Sequence, residues 1–170
     1  MKIRSRFAAF AAAIAAVVPA AVVTGAPAQA STGFVKIGIH GSGHCLDNAT
    51  ENNFVLQMWT CGGGSEQRWL EGFNSQTGTY TFTDQNTGWC ITEQSATLTR
   101  VEMEPCQAPT PLAQQWRVFW STTDTDGPYK IWQNAASNEC LNTSSVGNGT
   151  LLRVFPCDLN DHYQKWDERS

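Results

Sequence analysis

The most reactive side chains in this 170-residue sequence are six cysteines, Cys45, Cys61, Cys90, Cys106, Cys140 and Cys157, and three histidines, His40, His44 and His162. An even cysteine count downstream of an export-type leader implies disulfides rather than metal ligands or a catalytic thiol. The histidines lack metal-ligand spacing and are expected at the surface. There is no Gly-x-Ser-x-Gly elbow, no His-Glu-x-x-His helix and no cysteine left over for attack. The residue types therefore predict no catalytic residues, no metal and no cofactor.

The elements that must position everything else begin after residue 30. Lys2, Arg4 and Arg6, an Ala-rich apolar stretch and Ala28-Gln29-Ala30 together read as a signal peptide over 1–30. The mature part, 31–170, is thus expected outside the cytoplasm as one soluble domain. Without the three leader cations, eight Lys+Arg face fifteen Asp+Glu, a net charge of −7. Such a chain is a poor partner for phosphate backbones or anionic membranes, so neither nucleic acid nor membrane is expected. Gly, Thr, Asn, Gln and Trp are abundant, and short segments between turn residues point to an all-β domain. Trp120 and Trp132 are expected to pack in the core or between repeats, and Trp89 to be exposed.

Taken in consecutive pairs, the cysteines are 16, 16 and 17 residues apart. Each pair is followed by a Gln-x-Trp tripeptide: Gln67-Arg68-Trp69, Gln114-Gln115-Trp116 and Gln164-Lys165-Trp166. An aromatic precedes each first cysteine by ten or eleven residues (Phe34, Tyr80, Tyr129). Leu46-Asp47, Ile91-Thr92 and Leu141-Asn142 follow the first cysteines. These features in register mark an internal triplication, with repeats at about 31–75, 76–125 and 126–170. Six cysteines allow fifteen pairings in principle. The triplication favours Cys45–Cys61, Cys90–Cys106 and Cys140–Cys157, each worth about 3 kcal/mol in the chain-entropy model.

The strand before each second cysteine is apolar at every other position: Leu56 and Met58, Val101 and Met103, Leu152 and Val154. The intervening residues are Gln57 and Trp59, Glu102 and Glu104, Arg153 and Phe155. Strand side chains alternate between faces, and Glu102 and Glu104 would not be buried unpaired. The first set is therefore predicted to face the core. Trp59 and Phe155 are predicted to face out.

The Gln-x-Trp tripeptides, paired cysteines and Cys-Leu-Asp of this chain resemble the ricin-B-type β-trefoil lectins over essentially the whole mature sequence. The resemblance implies a six-stranded barrel capped by three hairpins, with Trp69, Trp116 and Trp166 in the core. It also implies up to one shallow sugar site per repeat. In the first repeat that site would comprise Asp47 as acceptor, Trp59 as stacking platform, the amides of Gln57 and Gln67, and Glu66 where the family usually has Asn. Pyranose rings offer an apolar face to an aromatic ring and hydroxyls to carboxylates and amides. The implied function is that of a secreted, monomeric carbohydrate-binding protein for galactose-type or related sugars, with glycan or polysaccharide as partner.

The second repeat departs from this pattern through Thr92, Glu102, Glu104 and Ala113, and no sugar site is expected there. The third keeps Gln164 and gains Phe155, but has Asn142, Arg153 and Tyr163 at the remaining positions. Asn142, Phe155 and Gln164 mark a second candidate site. Asp47 and Glu66 could serve as a glycosidase pair, but the implied site is shallow and excludes little water, so the chain is expected not to be an enzyme. The alternative is a protein-binding trefoil, an inhibitor or adaptor with decayed sugar sites, using the loop 107–113.

Overall fold

The apolar members of the alternating strands, Leu56, Met58, Val101, Met103, Leu152 and Val154, are all buried, as the sequence predicts. The structure, a computed structural model, describes residues 30–94 and 99–170. The expected leader lies outside the described residues except for Ala30. Twelve strands occur among the described residues: β1 (Ala30–Ile39), β2 (His44–Ala49), β3 (Val55–Thr60), β4 (Trp69–Asn74), β5 (Thr79–Asp84) and β6 (Trp89–Glu93). They continue as β7 (Val101–Pro105), β8 (Trp116–Asp124), β9 (Gly127–Asn134), β10 (Cys140–Thr143), β11 (Thr150–Phe155) and β12 (Trp166–Arg169).

Antiparallel pairing runs β1–β4–β5–β8–β9–β12 and returns to β1, closing a six-stranded barrel without free edges. The other six strands form the hairpins β2–β3, β6–β7 and β10–β11. These meet where β3 pairs with both β11 and β7, and so cap one end of the barrel. This is the β-trefoil, with four strands per repeat. Each repeat is stapled by its own disulfide, Cys45–Cys61, Cys90–Cys106 and Cys140–Cys157, with Cα atoms 5.0 Å apart.

The core is threefold because the sequence is. Trp69, Trp116 and Trp166 are fully buried with Ile37, Ile39, Phe82 and Trp132. A buried indole needs a partner for its N–H. Each Nε1 finds the carbonyl of the residue after the first cysteine of its repeat: Leu46 at 3.4 Å, Ile91 at 3.2 Å and Leu141 at 3.0 Å. The tryptophan thus ties barrel to hairpin, and truncating one to Ala would cost about 3–5 kcal/mol.

Three expectations are corrected. His40 is not on the surface: it is buried, its Nε2 lies 2.7 Å from Asp124 Oδ1, and its ring packs 4.9 Å from Tyr129. The contact also brings His40 close to Asp126, a grouping with no trace in local spacing. Trp120 is not core but 46% exposed, because a bulge between Val118 and Trp120 breaks the alternation of β8. Trp89 is half-buried, with its ring 4.4 Å from that of Phe54.

The barrel strands also carry a partly buried carboxylate, Glu71. Glu71 lies on β4, and among the described residues its buried Oε1 has no hydrogen-bond partner. Burial, reinforced by the charge of Glu168 and partly offset by Lys130, pushes its pKa up from 4.5 to about 7. A carboxylate whose folded pKa is raised stabilises the fold below its unfolded pKa. That contribution is lost as pH rises from about 4.5 to about 7. Glu71→Gln is therefore expected to raise the melting temperature by a few degrees at pH 8 and by little at pH 4. Thermal melts at the two pH values check this, and an equal shift at both would contradict it.

Candidate functional site

The first-repeat hairpin places the candidate residues by register alone. On β2 and β3, Cys45 stands opposite Trp59 and Asp47 opposite Gln57, so all four share the outer face. Leu46 and Met58, opposite each other, point inward. After β3 the chain passes through Gly62, Gly63 and Gly64 into a short 3-10 turn, Ser65–Gln67. That turn folds Glu66 and Gln67 back over the hairpin. The result is a cleft of about 350 Å3 lined by Asp47, Gln57, Trp59, Glu66 and Gln67, all five expected residues. It also includes Glu51, Thr60, Gly62 and Gly64, which no motif marks.

Trp59 is 42% exposed and forms the open aromatic wall. Asp47, expected as an open acceptor, is instead 7% exposed and already engaged. Gln57 Nε2 donates to its Oδ1 at 3.0 Å and Gln67 Nε2 to its Oδ2 at 3.0 Å. Each carboxylate oxygen keeps one further lone pair, and Asp47 lines the cleft. Burial pushes the Asp47 pKa up, the Gln57 and Gln67 amides pull it back, and the charges of Glu51 and Glu66 push it further up.

Gln67 has less to offer a ligand than its place in the motif suggests. Its Nε2 also donates to Thr60 O at 3.1 Å, and its Oε1 accepts from Gly62 N at 2.6 Å. Both N–H groups are thus spent, and one lone pair remains. The same clip recurs in the other repeats. Gln114 donates to Pro105 O and accepts from Gln107 N, and Gln164 donates to Pro156 O and accepts from Asp158 N. All three glutamines are buried. Their common task is to satisfy the backbone on either side of the second cysteine, and contact with the cleft is an addition in repeat one. The third repeat supports the cleft as well: Asn148 Oδ1 accepts from Thr60 N at 2.8 Å and holds the end of β3.

Elsewhere the constellation is incomplete. In repeat two, Gln114 Nε2 bonds the Thr92 hydroxyl in place of a carboxylate, and Glu104 is taken by Gln94. In repeat three, Phe155 is 42% exposed, while Asn142 and Gln164 are buried. Asn142 Nδ2 donates to Asp161 Oδ2 at 2.7 Å, so a carboxylate absent from the strand is supplied by the turn. Asp161 stands three residues before Gln164, as Gly64 stands before Gln67 and Pro111 before Gln114. Alignment backward from the tripeptide would have found it. A second cavity, about 320 Å3, lies between β8, β9 and β12. Its acidic groups are already paired, Asp167 with Arg169 and Glu168 with Lys130.

Residues 33–166 match the ricin-type beta-trefoil lectin domain. The chain belongs to that family. Among solved structures, the ricin-type trefoil aligns with a designed 3-fold symmetric protein, ThreeFoil, at 17% identity and a TM-score of 0.66, covering 81% of this chain and 98% of that one. It aligns with the hemolytic lectin CEL-III at 23% identity and a TM-score of 0.64, covering 81% of this chain but 32% of that one. The Polyporus squamosus lectin, solved bound to a human-type influenza-binding epitope, aligns at 12% identity and 0.64, covering 80% and 48%. At these identities the structures establish the fold. No curated protein matches the sequence. Membership of this lectin family supports carbohydrate binding as the general role.

If the glutamine clip is structural, it should matter where no cleft exists. Gln114→Ala leaves the Gln107 amide, the Pro105 carbonyl and the Thr92 hydroxyl without their partner. The expected cost is about 1–3 kcal/mol of stability, read by chemical denaturation. A change below about 0.5 kcal/mol would assign the glutamine to something other than the fold.

Proposed function

We propose that the chain is an exported, non-enzymatic lectin that binds the end of a glycan at the first-repeat cleft, with galactose-type or related sugars as ligands. The observation that carries this is the exposed ring of Trp59 beside the Asp47–Gln57–Gln67 network in one cleft. A pyranose can lay its apolar face on that ring while its hydroxyls reach Asp47 and the remaining groups of Gln57. Export is supported by the leader pattern over 1–30 and by three disulfides, which persist in oxidising compartments. Binding without catalysis is supported by membership of a lectin family. The chain is proposed to act as a monomer. One shallow site then gives affinity of about millimolar, roughly −4 kcal/mol, and tighter attachment needs several sites acting together.

One observation favours a second reading, a protein-binding trefoil. The loop 107–113 stands exposed, with Leu112 54% accessible, and is braced by Gln115 Nε2 on Thr110 O. The two readings part on one pair of variants. Trp59→Ala is expected to weaken binding of a galactose-terminated glycan at least tenfold by calorimetry, with the melting temperature within about 2 °C of the parent, since the ring is a surface group. No glycan binding by the parent, with binding of a protein partner that is lost on replacing 109–112, would favour the protein ligand. Loss with Phe155→Ala alone would move the site to the third repeat.

A further inference from the structure

We propose that the first-repeat cleft selects sugars bearing a protonated amine, terminal hexosamines, over their neutral, N-acetylated and acidic counterparts. The inference rests on the reading of the cleft as a sugar site and adds the ligand's charge. Three of the nine lining residues are carboxylates, Asp47, Glu51 and Glu66, and none is Lys, Arg or His. Among the described residues none of the three is in an ion pair. The donors on Asp47 are neutral amides, which satisfy its lone pairs without cancelling its charge. Among the described residues, the Glu66 carboxylate accepts a hydrogen bond from the Ser65 hydroxyl alone, at 3.3 Å.

The backbone is arranged to keep Glu66 there. A Cβ on Gly64 would stand 2.8–2.9 Å from the Glu66 carboxylate, so the missing side chain makes the space into which that group folds. At the equivalent position the other repeats carry Pro111 and Asp161. The first repeat thus combines an aromatic platform for a ring with a concentrated negative potential. A neutral sugar uses only the platform and the hydrogen bonds. An ammonium substituent would also meet Glu66 and Glu51, in charge-assisted hydrogen bonds stronger than neutral ones. A uronic or sialic acid would bring a fourth negative charge into the cleft.

Calorimetric titration of the full chain at pH 6.5 and low salt tests this, with galactosamine, N-acetylgalactosamine, galactose and galacturonic acid as probes. At this pH the amine of galactosamine is protonated. We expect it to bind about fivefold tighter than its N-acetyl twin, the scale of an exposed ion pair, and galacturonic acid not to bind. The ratio should fall toward one in 1 M NaCl, where screening is nearly complete. It should fall likewise in Glu66→Gln, and in Gly64→Ala, where the added methyl displaces the carboxylate. Equal or tighter binding of the N-acetyl sugar, or a ratio that survives salt and both substitutions, would overturn the proposal. Binding of neutral sugars with no preference for the amine would overturn it alone and leave the sugar site standing. If none of the four sugars binds, the site reading falls with it.

Discussion

The structure depends on a buried glutamine amide that holds the backbone on both sides of each second cysteine. In a domain of short strands, backbone groups just past a strand end lose their ladder partners, and burying them unpaired costs about 1–3 kcal/mol each. The glutamine side chain substitutes for the missing ladder. It donates to the carbonyl before the cysteine and accepts from the amide after it in all three repeats. The tryptophan two residues on is fully buried and bonded to the hairpin through its indole. Together they fix the short turn against the hairpin, and any cleft between the two inherits its shape from that clip.

What differs among the repeats is what the second amide N–H of the glutamine meets. In the first it meets Asp47, and in the second the Thr92 hydroxyl. The scaffold is therefore indifferent to whether a binding group is present, which explains how one repeat retains a charged cleft while another loses it with the fold intact. Gly64 extends the argument to the turn. With no side chain there, the carboxylate of Glu66 returns over the hairpin, and Glu51 lines the same space.

The sequence makes the triplication, the disulfide pairing and the inner and outer faces of the second-cysteine strands legible. These follow from spacing and from a period of two, which are properties of the chain itself. Trp59 could be placed outside because Glu102 and Glu104 identify the outer face in a sister repeat. The misreadings share a different cause. His40 is buried by Asp124 and Tyr129, far away in sequence and adjacent only after the barrel closes. Trp120 is exposed because a bulge shifts the register of β8, and Trp89 is half-covered by Phe54, a residue of the preceding repeat. Glu51 and Asp161 join their clusters through turns, where no periodicity operates. The spent amide of Gln67 was hidden for another reason: a side chain's type gives its hydrogen-bonding capacity but not how much the fold has already used.

The central claim is that ligand meets the protein at one indole among seven. Each tryptophan gives an indole N–H resonance in a nitrogen–proton correlation spectrum, and titration with a saccharide reads them all at once. The account predicts that the Trp59 resonance moves and saturates while those of the buried Trp69, Trp116 and Trp166 stay in place. A Trp59 resonance that remains still while another indole shifts would contradict it.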